Sequence, residues 1–391
     1  MNRTKHPLLI TALILLFTTG LIFLANSLPY NPYSTGMVGA VLNYERARIV
    51  RVEEEKINPS KQGQDLLVGS QSLVVELLSG GHKGEVVEAS NKLTPYNSVR
   101  GKEGQRLIVI VDEITKGKNT GRFKVRVYNF YRSPFIYLMG LLFFISLILV
   151  GGKKGFMSAL GLIYTFLCVF TIFLPLVLRG YSPVLAAILL VTIVSTVSLI
   201  LLNGVSRKSL CSILGTVSGV CLSGGILKLF GSLIHVSGYN TNDTEALLLI
   251  SQKTGLNVKE LVFSGILIAS LGAIMDIAMS VVSSVYEVKK HKPESTGAEL
   301  FKTGMNVGKD VIGTMSNTLI LVFTGTSLNL LIILYSYSIQ YNQYMNMNRT
   351  AIEILQALSG SLALVLTVPI TALLASRLLK GNRVHETVTR S

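Results

Sequence analysis

The sequence predicts a membrane all-α helical bundle of about eight transmembrane helices, with a small extracytoplasmic β-barrel or sandwich inserted after the first. Three observations predict it. The 391 residues are 49% hydrophobic and 15% charged, with a mean hydropathy of +0.53, whereas soluble domains carry about 25% charged residues. Apolar runs near the ~20 residues that a crossing helix needs occur eight times. One long polar segment, residues 30–133, alternates with a period of two.

The eight runs are 8–28, 135–150, 156–178, 183–202, 210–236, 261–285, 311–334 and 352–376. The first follows Arg3, Lys5 and His6, and its nearest cleavage-like window, Phe23-Leu24-Ala25, lacks the small-residue pattern. It reads as an uncleaved signal anchor. The chain then divides into residues 1–29 (anchor and first helix), 30–133 (extracytoplasmic β domain), 134–380 (seven-helix bundle) and 381–391 (cytoplasmic tail).

Direction follows from the Lys/Arg bias of short loops. With the N-terminus inside, the inner segments hold fifteen Lys/Arg and the short outer loops four: Arg179, Lys253, Lys259 and Arg349. Both termini are therefore expected in the cytoplasm of a cell-membrane protein. Tyr128, Tyr131, Tyr137, Tyr335, Tyr337, Tyr341 and Tyr344 cluster at the expected outer interfaces, where amphipathic rings sit. The net charge of +15 thus follows topology. A nucleic-acid partner is not expected, because the segment 30–133 mixes 16 basic with 11 acidic residues.

Within 30–133 the clearest strand-like runs are 73–78, 84–88, 106–111 and 123–128, separated by Gly80-Gly81, Pro95-Tyr96-Asn97 and Lys116-Gly117 turns. Phe123, Val125 and Val127 point one way, and Lys124, Arg126 and Tyr128 the other. The segment has no nucleophile–base grouping, and its histidine, His82, falls in a turn. It reads as a binding, gating or assembly module.

Two helices of the bundle carry polar stripes. On the sixth run, Gly265, Ala269, Gly272, Asp276, Ser280, Ser283 and Glu287 share one face. Its outer half is small, as suits a closely approaching helix. Asp276 lies about 16 Å above Glu287 at 1.5 Å per residue. Placing a carboxylate there costs roughly 2.5–3.5 kcal/mol even on the lower insertion scales, so it marks a proton or cation site by default. A structural Asp satisfied by neighbouring hydroxyls is the alternative. On the seventh run, Asp310, Thr314, Asn317 and Thr324 share a face, with Thr318 beside them. The two stripes are expected to face each other and line a path; ordinary interhelical hydrogen bonding is the alternative.

Lys228 lies about 12 Å from the outer end of its run and Asp276 about 22 Å from its own, too unequal for a direct pair. Lys228 is expected to snorkel outward. Gly215 and Gly219 form a GxxxG packing pattern. Asn242 to Glu245 and Asn257 to Glu260 read as N-cap pairs that start a short interfacial helix and the sixth span. Phosphate-loop, HExxH, GxSxG and GxGxxG motifs are absent, and Cys168, Cys211 and Cys221 show no zinc or CxxC spacing. No catalytic residue, metal ligand or cofactor is expected.

The stretches Leu271-Gly-Ala-Ile-Met-Asp276-Ile-Ala-Met-Ser280, followed by Glu287, and Gly308-Lys-Asp310-Val-Ile-Gly-Thr-Met-Ser-Asn317-Thr-Leu resemble the YibE/F family. The likeness extends to the order of anchor, β-like domain and bundle. It implies a bacterial, largely Gram-positive, cytoplasmic-membrane protein and no defined substrate. The family's Arg beside the motif Asp is replaced by Lys309, which lacks the fork-shaped donor.

The resulting expectation is a transporter or permease-like protein for a small solute or ion, with Asp276 taking a proton or cation and Asn317 with Thr318 lining the path. The rival is a non-transporting scaffold or sensor whose β domain binds an envelope or membrane partner. Substrate and oligomeric state are not readable from the sequence.

Overall fold

The computed structural model describes residues 19–20, 22–23, 27, 40–59, 66–95, 97–114, 123–238 and 244–380. Most of the first apolar run, the Asn242 cap and the tail 381–391 lie outside the described residues. The chain forms two compact units, one of residues 32–146 and one of residues 1–31 with 147–391.

In the smaller unit five strands close a barrel in the order β1-β2-β3-β5-β4. They are β1 (Ala40–Pro59), β2 (Leu67–Leu77), β3 (Val86–Leu93), β4 (Arg106–Ile114) and β5 (Phe123–Phe130). The 20-residue β1 pairs with β4 through its first half and with β2 through its second. Register shifts at Ile49/Arg51 and Val52/Glu54 let it curve between them. The pairing of β3 with β5 is parallel and the other four are antiparallel. Alternate residues fill the interior: Ile49, Leu73, Val75, Leu77, Leu107, Val109 and Val111 are all buried. As expected, Val125 and Val127 point in while Lys124, Arg126 and Tyr128 point out. The buried Asn91 and Gln71 satisfy each other, with Asn91 Nδ2 donating to Gln71 Oε1 (2.8 Å) and to Val99 O (2.7 Å). His82 stacks on Phe123 and approaches Glu85 at 3.0 Å.

The larger unit is helical. Its elements are α1 (Ser133–Cys168), a π-helical turn (Val169–Phe173), α2 (Leu174–Leu178), α3 (Pro183–Asn203), α4 (Arg207–Leu233), α5 (Thr244–Thr254), α6 (Val258–His291), α7 (Gly297–Thr326), α8 (Leu328–Ser336), α9 (Tyr341–Met345) and α10 (Asn348–Lys380). Among the described residues five helical stretches are long and apolar enough to cross a membrane, or six with a bent pair counted as one. Three features separate the count of five from the expected eight, the first being that the run 8–28 lies mostly outside the described residues. The runs 135–150 and 156–178 form one 46-residue stretch, Ser133–Leu178. It is interrupted at Gly152 (φ 53°, ψ −134°), a left-handed conformation that glycine adopts without strain. The run 311–334 is α7 and α8, bent by 61° at Ser327.

α10 is the central helix and packs on α4, α6 and α7. Helix starts follow sequence-encoded caps. Asn257 accepts from Glu260 N–H (3.2 Å), and Thr296 with Glu299 forms a capping box. α5 ends at Thr254, before Gly255. Lys289 is buried, and its Nζ donates to the carbonyls of Pro293 (2.6 Å) and Ser295 (3.3 Å), fixing the α6–α7 turn.

Candidate functional site

The sixth run folds as α6, and its helical periodicity sorts the side chains. Leu267, Ile274, Ile277, Ala278, Val281 and Val285 are buried. Gly265, Ala269, Gly272, Asp276 and Glu287 are exposed, and Ser280 and Ser283 are half-buried. The small-polar stripe is therefore the open face of α6. A Cβ built on Gly265 or Gly272 meets nothing within 4 Å. The neighbouring helix expected on these residues is not supplied by the described chain. Glu287 approaches His291 at 3.8 Å. Asp276 makes no hydrogen bond or ion pair among the described residues; the hydroxyl company weighed for it is not there.

On α7, Asp310, Thr314, Asn317, Thr318 and Thr324 are all exposed. The threonines satisfy themselves on their own helix. Thr314 donates to Val311 O (3.0 Å), Thr318 to Thr314 O (2.8 Å) and Thr324 to Ile320 O (2.8 Å).

α6 and α7 meet, but not through these stripes. Their seam is apolar, with Ala273, Ile277 and Val281 clustering with Met305, Val311, Ile312 and Met315. Asp276 and Ser280 border this seam on α6, and Thr314 and Thr318 border it on α7, one helical turn from seam residues. The expectation that the stripes face each other is thus corrected. Apolar side chains take the direct contact, because burying a carboxylate there costs more than burying Ile277.

Gly215 and Gly219 behave as expected of a GxxxG. A Cβ on Gly215 would come within 2.6 Å of Thr371 Oγ1, and one on Gly219 within 2.2 Å of Thr367 Oγ1. They seat α4 directly on α10.

Among the described residues the helical unit has cavities, three of which are lined by neither Asp276 nor Asn317. The first, about 590 Å³ and mostly apolar, lies between α4, α7 and α10. Ser316 and Ser359 line it, each with a buried hydroxyl that has no hydrogen-bond partner. The second, about 450 Å³, lies where α3 and α6 begin, and Lys228, Lys259 and Glu260 line it. There Ser182 Oγ donates to Glu260 Oε2, and Asn257 Nδ2 donates to Oε1 (3.4 Å). Lys228 is exposed and makes no ion pair with Asp276, in keeping with the depth arithmetic. The third cavity, at the α7–α8 bend, was missed by the sequence reading. Its only sequence signal was Glu353, an acid at the start of an apolar run. Among the described residues no group of three His, Cys, Asp or Glu side chains is placed to hold a metal.

The YibE/F-like protein family model matches residues 139–381, which takes in the helices from Met139 of α1 through α10. The chain belongs to the YibE/F-like family. The likeness drawn from the α6 and α7 motifs therefore holds for the bundle, while the barrel lies outside the matched residues. Searches of curated proteins and of solved structures found no match. The YibE/F bundle is thus joined here to a five-stranded barrel, and the apolar helices mark a membrane protein.

Proposed function

We propose that this YibE/F-like protein is a permease-like transporter of the bacterial cytoplasmic membrane, with both termini in the cytoplasm and the barrel outside. In this reading Asp276 takes a proton or cation, and water reaches it along the open stripe from Gly265 to Glu287. One observation carries the proposal. Asp276 sits about 27 Å along a 34-residue span, at 1.5 Å per residue, with no partner in the described chain. An unpaired carboxylate at such a depth needs water, a proton or a cation. Thr314, Asn317 and Thr318 supply polar groups beside the same α6–α7 seam.

The test is Asp276→Asn in proteoliposomes carrying a pH or sodium gradient. Flux of the driving ion falls by more than about tenfold while the elution profile is unchanged. Unchanged flux in the variant removes Asp276 from coupling. A second reading, a scaffold or sensor, is favoured by the openness of Gly265 and Gly272, a surface suited to a partner helix. Native protein that moves no ion, yet is crosslinked through Gly272→Cys to another membrane protein, establishes that reading instead.

A further inference from the structure

The bend between α7 and α8 has unusual chemistry. Ser327 joins the two helices: its N–H donates to Phe323 O of α7 and its carbonyl accepts from Leu331 N–H of α8, 3.1 Å each. The C-terminal end of the 30-residue α7, the negative end of its dipole, points into this joint. Opposite it, early in α10, stands Glu353, whose Oε2 accepts a hydrogen bond from Ser327 Oγ. One turn before Glu353 is Thr350, only 2% exposed, and its buried Oγ1 has no hydrogen-bond partner. Leaving such a hydroxyl unsatisfied costs about 1–3 kcal/mol. Thr324, Ser327, Tyr344, Thr350 and Glu353 line a common cavity of about 150 Å³, room for an ion with a few waters at roughly 30 Å³ each.

We infer that this joint is a binding site for one monovalent alkali cation, held by the Glu353 carboxylate, the Thr350 and Ser327 hydroxyls and the carbonyl end of α7. The polar groups are all oxygens, which selects hard cations over thiophilic or imidazole-binding metals. They include a single carboxylate. A divalent ion would keep an uncompensated charge in a low-dielectric setting, and calcium sites draw on a larger set of oxygen ligands. The nearby Arg349 forms no ion pair with Glu353, so the carboxylate is not already neutralised by it. An interrupted membrane helix whose backbone lines a cavity is a physically sound place for such an ion. The site shares no residue with the Asp276 stripe, and its existence does not depend on transport.

The purified full chain in detergent is tested for saturable binding of radiolabelled sodium, with choline chloride holding ionic strength constant. The variants are compared in an Asp276→Asn background, in which no cation is held at position 276, so that the sodium counted is that of the joint. Glu353→Gln weakens binding by at least about a hundredfold and Thr350→Val by about tenfold, while Thr350→Ser keeps it. Should Glu353→Gln not elute as a folded species, the contrast between Thr350→Val and Thr350→Ser decides. Absence of saturable sodium binding by the native chain overturns the inference. So does binding that ignores both positions, or calcium binding tighter than sodium through the same residues.

Discussion

α4 and α6 carry nearly the same pattern, small residues three or four apart, and the structure uses them in opposite ways. On α4, Gly215 and Gly219 are buried against Thr371 and Thr367 of α10. On α6, Gly265 and Gly272 face open space and lead to an unpaired Asp276. The difference lies in what stands opposite. α10 presents uncharged threonines: Thr367 donates to Ala363 O (2.7 Å), and Thr371 keeps a buried hydroxyl without a hydrogen-bond partner. Such a face is apolar enough to pack closely. The small half of the α6 stripe leads to Asp276, a carboxylate that no described residue answers. Small residues therefore mark close approach only where the partner is neutral.

Four substitutions sharpen or break this comparison. Gly219→Leu has the largest effect, because its Cβ alone would overlap Thr367 Oγ1 and come within 2.7 Å of Ile274 Cγ2. It lowers stability by about 3 kcal/mol, or prevents folding, in a thermal unfolding series in detergent. Gly215→Ala, at 2.6 Å from Thr371 Oγ1, costs roughly 1–2 kcal/mol in the same assay. Gly272→Ala has the opposite sign. With nothing within 4 Å, it gains about 0.5–1 kcal/mol of helix propensity. A loss of stability at Gly272 in lipid, but not in detergent, reveals a neighbour seated on the stripe. Asp276→Asn has the smallest effect on stability, within about 0.5 kcal/mol, because no described partner is lost. A drop of several kcal/mol points to a structural partner for Asp276.

Much of this arrangement was readable from pattern. Four of the barrel strands overlap strand-like runs bounded by turn residues, and the α6 stripe followed from helical spacing. β1 was not readable because its faces are inverted over part of its length. Glu45 and Ala47 point inward, whereas Leu42, Tyr44 and Val50 are exposed. A period-two signal then cancels. The helix count differed for three reasons: the run 8–28 lies mostly outside the described residues, the runs on either side of Gly152 are continuous across a kink, and the bend at Ser327 divides α7 from α8. The apolar α6–α7 seam was hidden for another reason. Periodicity fixes which residues share a face, but the face that meets a neighbour depends on the whole bundle. Glu353, Ser327 and Thr350 are far apart in sequence and ordinary one by one, and only the bend at Ser327 brings them together.

The most direct test of the central claim asks whether water reaches the Asp276 stripe. Cys168 and Cys211 are buried, and a Cys221→Ser background removes the exposed thiol. In that background Gly272→Cys and Phe166→Cys are treated in intact membranes with a charged, water-borne thiol reagent, which reacts only with a hydrated thiolate. Phe166 is 59% exposed on α1, its helical neighbours Leu162, Ile163, Val169 and Phe170 are all apolar, and it serves as the lipid-facing reference. The account predicts rapid modification at position 272 and none at 166. Equal inertness at both positions would show that the stripe lies in hydrocarbon or under a dry partner, and would contradict a hydrated path to Asp276.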